Sequence, residues 1–276
     1  MGHEHAGPVA LRAEHQRLKQ LKPYRNDPYY FKSVEIYPTA LLKMAIHTSE
    51  GGDLEVMGML QGYIAEHKFI IVDCFALPVE GTETRVNAHE QAFAFMIDVI
   101  QSNEDIGRTD VTLGWYHSHP DYGCWLSGID VTTQALHQRH EDPFVAIVVD
   151  PIRTLSGSVE IGAFRTFPDD FVPAEGAGSS VGVSGGDKTK DYGRHADRYY
   201  ELPVRIMAEG DDSAIIDQAL RFDWVQTLTA PGSDGRVDRA VAQLLDPGKK
   251  AASAKMIGAE LARRDMVRRG LAGIFS

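Results

Sequence analysis

Cysteine is scarce. Cys74 and Cys124 are the only two in 276 residues. Two thiols cannot build a disulfide framework, so a stapled secreted domain is excluded and a reducing compartment, cytoplasm or nucleus, is the expectation. Long apolar runs are missing too: nothing approaches the roughly 18 residues that span a bilayer. The opening MGHEHAGPVALRAEH lacks the apolar core of a secretion signal. An excess of positive charge is also absent. The formal net charge is −11, and nucleic-acid binding needs a basic face for phosphate contacts. There is no internal repeat. Neither nucleic acid nor membrane is an expected partner.

The charge is unevenly spread. From Gly248 to Ser276 there are seven Lys/Arg against two acidic residues, a basic tail suited to an acidic partner or to a solvated helix face.

Periodicity divides the chain. Residues 1–30 read as a polar N-terminal extension. Residues 31–172 carry the pattern of an α/β domain, a mixed sheet flanked by helices. Helices are expected over 39–49, 87–101 and 128–140, the second capped by Asn87 with Glu90 at the capping-box position. Its apolar stripe is Phe93, Met96, Ile97 and Ile100. Strands are expected over 54–64, 68–79, 111–118, 144–150 and 158–167. EGTETR at 80–85 has no apolar period and reads as a loop. Residues 173–190, with AEGAGSSVGVSGG, are linker material. Residues 191–276 hold one strand, YYELPVRI, and then a helical tail whose apolar stripes need covering, which suits assembly into a larger complex.

The chemistry concentrates between Trp115 and Gln134, WYHSHPDYGCWLSGIDVTTQ. His117 and His119 lie two apart on a strand, so their imidazoles share a face. Asp130 follows in the first turn of the next helix. Two His and a carboxylate with one position left for water is the donor set of a catalytic zinc. Ser127-x-x-Asp130 is equally a capping box at a helix start. Hydrolysis needs a proton carrier as well, and spacing alone leaves Glu55, Asp73, Glu80, Glu83 and Asp121 as candidates. Cys124 reads as a small packed residue, since a thiol nucleophile needs an activating base of its own.

HSHP, seven residues from Pro120 to Leu126, then SGID, resembles the signature H-x-H-x7-S-x2-D of the JAMM (MPN+) metalloprotease family. That resemblance implies the MPN fold of the JAB/MPN/Mov34 type, a cytidine-deaminase-like α/β architecture. It also implies zinc on His117, His119 and Asp130, Glu55 as general acid/base, and Ser127 as donor to the oxyanion. YYFKSVEIYPTALLKMAIH, LPVEGTETRVNA, DPIRTLSGSVEIGAFRTFP and KTKDYGRHADRYYELPV are similar to the branch that supplies the catalytic subunit five of the COP9 signalosome. The likeness runs from about 28 to 206 and weakens in the tail. It implies removal of a ubiquitin-like modifier from cullins by isopeptide hydrolysis, in a complex with other signalosome subunits, an MPN-domain partner among them. Two other readings stay open: a ubiquitin isopeptidase of the proteasome-lid type, and a non-catalytic MPN scaffold. Glu83 would occupy the open metal position in an autoinhibited isolated chain. Asp121 stands where the family usually has Gly, an extra carboxylate expected to alter ligand pKa values or metal access.

Overall fold

The computed structural model describes residues 8–80, 86–108, 110–155, 158–173 and 195–207. One eight-stranded mixed sheet organises them. Its strands are β1 (Ser33–Ile36), β2 (Val56–Ala65), β3 (Lys68–Glu80), β4 (Val111–Ser118), β5 (Val145–Leu155), β6 (Ser158–Thr166), β7 (Tyr199–Leu202) and β8 (Val204–Ile206). They lie side by side in the order β7-β6-β5-β4-β2-β3-β1-β8. Four helices pack with it: α1 (Pro8–Leu21), α2 (Pro38–Glu50), α3 (Val86–Asp105) and α4 (Gly128–Glu141). This is the α/β class with a mixed sheet that the periodicity implies.

The apolar run of β5 explains the two-sided core. It pairs parallel with β4 and antiparallel with β6, and its side chains alternate between two clusters. Val145, Ile147 and Val149 join the cluster around Tyr116, Phe31 and Met44. Ala146 and Val148 join Trp115, Leu126 and Phe144 on the other face. A strand buried on both sides has no polar alternation to display. In β4 the alternation is reset: Leu60 faces Gly114 and Gln61 faces Thr112, leaving Leu113 as an extra residue. Such a bulge switches the faces of everything beyond it. Leu113 therefore packs in the first cluster and Trp115 in the second, which sets the side on which His117 lies.

Three elements differ from the sequence reading. Residues 8–30, read as part of a polar extension, contain α1 and supply Leu18 from that helix and Tyr24 and Tyr30 from the segment after it to the core. YYELPVRI is two strands rather than one. β7 runs along β6, β8 runs along β1, and only Pro203 lies between them. Proline has no N–H to give to a ladder, but its carbonyl accepts from Val34 at 2.9 Å, so the segment changes partner at that residue. The sheet's first and last strands are thereby adjacent in sequence, which curls the sheet toward closure. The third difference is α3, which begins at Val86, putting Asn87 inside the helix and not at its cap. On α3, Met96 packs against the second cluster while Ile97 is exposed. Glu83, the 174–190 part of the linker and the helical tail expected after YYELPVRI lie outside the described residues.

Candidate metal centre

β4 carries the first two candidate donors. His117 is its penultimate residue, opposite Met57 of β2 and Val148 of β5. The ladder continues one residue past the strand, since the N–H of His119 donates to Val149 O at 2.9 Å. Both rings therefore keep the extended-chain alternation and point the same way, and both are buried. Asp130 arrives from α4, whose N-cap Ser127 has extended backbone angles and a complete capping box. Ser127 Oγ accepts the Asp130 N–H at 3.2 Å and Asp130 Oδ2 accepts the Ser127 N–H at 2.8 Å. The cap holds the carboxylate toward the imidazoles.

These three side chains form one cluster. His117 Nε2 and His119 Nε2 are 3.0 Å apart, and Asp130 Oδ2 is 3.4 Å from the first and 3.6 Å from the second. Donors about 2.0–2.1 Å from one tetrahedral zinc lie about 3.3–3.4 Å from each other. The observed separations scatter around that value, and an N,N,O donor set suits zinc chemically, so the residues present fit the ion. His119 Nδ1 lies 3.1 Å from the carbonyl of Gly123; donation to it assigns the proton to Nδ1 and leaves Nε2 as a lone-pair donor. His117 stacks on Trp115 with ring centroids 4.5 Å apart, and Trp115 is anchored by Nε1–H donation to Gln134 at 2.9 Å.

The electrostatics agree with that role. Burial pushes the His119 pKa below the ordinary range, helped by the neighbouring His117 and opposed by Asp130. Burial works against the charge of Asp130, but His117 and His119 in their proton-bearing forms outweigh it and hold the carboxyl well below its usual value. A bound cation takes over that role when the rings are neutral. Neutral imidazole and ionised carboxylate are the forms a metal ligand must take.

Of the candidate proton carriers, the structure brings Glu55 to this cluster. It sits two residues before Met57, the partner of His117. The Tyr122 hydroxyl donates to Glu55 Oε1, and the Tyr122 ring lies on His119 with centroids 4.4 Å apart. Asp73 is elsewhere, buried between Lys43 at 2.6 Å and Arg108 at 2.8 Å. The backbone of Glu80 pairs with Val56, and Glu83 is outside the described residues. Among the described residues, His117, His119 and Asp130 are the one group of three or more His, Cys, Asp or Glu placed to share a metal.

The comparisons with known proteins fall on the same stretch. The family model described as JAB1/Mov34/MPN/PAD-1 ubiquitin protease matches residues 29–143. The chain is 46% identical over 240 residues to COP9 signalosome complex subunit 5b of Arabidopsis thaliana, covering 87% of this chain and 67% of that relative. It is 47% identical over 242 residues to subunit 5 of Emericella nidulans, with 86% and 71% covered. For subunit 5 of Drosophila melanogaster the identity is 44% over 240 residues, with 86% and 73% covered. This chain belongs to the COP9 signalosome subunit 5 family.

The structure places the Asp121 carboxylate, read in the sequence as an extra acid near the metal, outside the ligand group. Asp121 has φ +64°, the left-handed region that glycine enters freely and Asp tolerates. Its side chain is 73% exposed and turned to Arg153, 3.5 Å from Nε, and its carbonyl accepts from Arg153 Nη2 at 2.8 Å. The extra carboxylate is spent on that guanidinium and is not in the metal cluster. Cys124 is equally remote from chemistry. Its thiol donates to Val148 O at 3.3 Å, and burial pushes its pKa far up. Tyr122 is the residue that sequence reasoning missed. Its only signal was an aromatic between two ligand segments; the partner, Glu55, is 67 positions away.

Proposed function

We propose that this member of the COP9 signalosome subunit 5 family is a zinc-dependent isopeptidase that removes a ubiquitin-like modifier from cullins, working as the catalytic subunit of a signalosome. The convergence of His117 Nε2, His119 Nε2 and Asp130 Oδ2 within 3.6 Å beside Glu55 carries this reading. A zinc ion held there supplies Lewis-acid polarisation of the isopeptide carbonyl and lowers the pKa of a water to about 7. Glu55 takes the proton of the attacking water as its oxygen bonds to the carbonyl carbon, and the carbon–nitrogen bond to the lysine then breaks. The same carboxyl returns that proton to the departing amine, and the proton left on the new carboxylic acid then passes to the amine as well, so the products are a carboxylate and a protonated lysine.

Ser127 stabilises the oxyanion. A hydroxyl has one proton to donate and two lone pairs to accept with, so accepting the Asp130 N–H as a cap leaves its proton for the substrate oxygen. Cap and catalytic donor are one residue. Tyr122 orients Glu55 through its hydroxyl. The partners this reading requires are the other signalosome subunits, an MPN-domain partner and a helical bundle, with the modified cullin-RING ligase as substrate.

The test is cleavage by the chain assembled with its partner subunits, offered a cullin carrying the modifier and, separately, ubiquitin chains. Cleavage of the modified cullin with one equivalent of bound zinc supports the proposal. Preference for ubiquitin chains would assign it to the lid-type ubiquitin isopeptidases, and a zinc-free chain inert toward both would make it a scaffold.

A further inference from the structure

The middle residue of the ligand pair has no part in the chemistry above. Alternation turns Ser118 to the face opposite His117 and His119, and it is wholly buried. Its Oγ accepts the backbone N–H of Val56 at 2.9 Å and donates to the carbonyl of Leu54 at 3.3 Å. Those are the residues immediately before and after Glu55. One hydroxyl serves both bonds at once, because it carries a donor and two acceptor sites.

The consequence is geometric. β2 starts at Val56, so Glu55 lies just outside the regular strand that would otherwise fix it. The chain on either side of it is instead tied to the same β4 segment that carries the two imidazoles. We infer that Ser118 is a positioning residue: it sets where Glu55 stands relative to His117 and His119. This rests on Glu55 being the proton carrier. A proton carrier displaced by about 1 Å costs up to about 100-fold in rate.

Ser118→Ala removes the hydroxyl with almost no change in volume, so both histidines stay. The assembled complex should then show kcat lowered about 10- to 100-fold on the modified cullin, with KM and zinc content unchanged. Ser118→Thr, which keeps the hydroxyl, should restore most of the rate. Adding Ser118→Ala to Glu55→Gln should cost nothing beyond Glu55→Gln alone, because two residues acting through one group are not additive. Full turnover in Ser118→Ala, a Thr variant as slow as Ala, or additive losses would each overturn the inference. Hydrogen exchange in the metal-free chain reads the clamp without any turnover. The Val56 amide should exchange faster in Ser118→Ala while Leu60 keeps its protection, and unchanged Val56 exchange would remove the clamp. A zinc-loaded native complex that cleaves nothing would sink the isopeptidase reading instead, and the exchange result would still stand on its own.

Discussion

Acid should loosen this fold through one histidine in α1. His15 is buried, with 4% of its surface exposed, and its Nδ1 accepts the N–H of Ile64 in β2 at 3.1 Å. Protonation would place a second donor against that N–H. Burial, with a smaller push from Lys19, holds the His15 pKa down to about 4 from an ordinary 6.5. The folded value is depressed, so the unfolded chain takes up the proton first as pH falls. The contribution to stability is therefore complete above pH 6.5, shrinks between 6.5 and 4, and is gone below 4. A difference of about 2.5 units corresponds to about 3 kcal/mol in full, of which about 2 kcal/mol is lost by pH 5. His15→Gln keeps an acceptor for Ile64 and cannot titrate in this range. Urea unfolding of both proteins from pH 7.5 to 5 isolates the effect, because the carboxylates titrate alike in each and cancel. The native chain should lose about 2 kcal/mol more than the variant by pH 5. Parallel curves would refute the argument.

Three substitutions probe the centre and its frame. Ser127→Ala should cost about 1 kcal/mol of stability as a lost helix cap and, if the hydroxyl also serves the oxyanion, about 100-fold or more in kcat; a stability loss with normal kcat would leave Ser127 a cap only. Tyr122→Phe keeps the ring on His119 but loses the bond to Glu55, so zinc content should hold while kcat drops about 5- to 30-fold, the equivalent of about 1–2 kcal/mol. Gly114→Ala would bring a Cβ to 2.1 Å from the carbonyl of Val145, forcing β4 and β5 apart beside the ligands. It should cost about 3 kcal/mol or more in urea unfolding and weaken zinc retention.

What was legible in the sequence was local. The unbroken apolar run of β5, the alternation that puts His117 and His119 on one face, and the Ser127–Asp130 box all depend on residues a few positions apart. What escaped was long-range or low in contrast. α1 buries little beyond His15 and Leu18, too few apolar residues to show a stripe in an otherwise polar segment. The change of partner at Pro203 depends on which strands lie at the sheet's two edges, and no window around 199–206 contains that information. The contact of Tyr122 with Glu55 bridges segments that only the β2–β4 pairing brings together. Asp121 looked like an extra carboxylate beside the metal site because proximity in sequence does not give direction; its left-handed backbone and Arg153 decide where it points.

The central claim joins a zinc site on His117, His119 and Asp130 to proton transfer by Glu55. Zinc content and turnover of Glu55→Gln in the assembled complex test both halves together. The account requires one equivalent of zinc, as in the native complex, and turnover of the modified cullin reduced at least about 100-fold. Native-like turnover with zinc bound would contradict it.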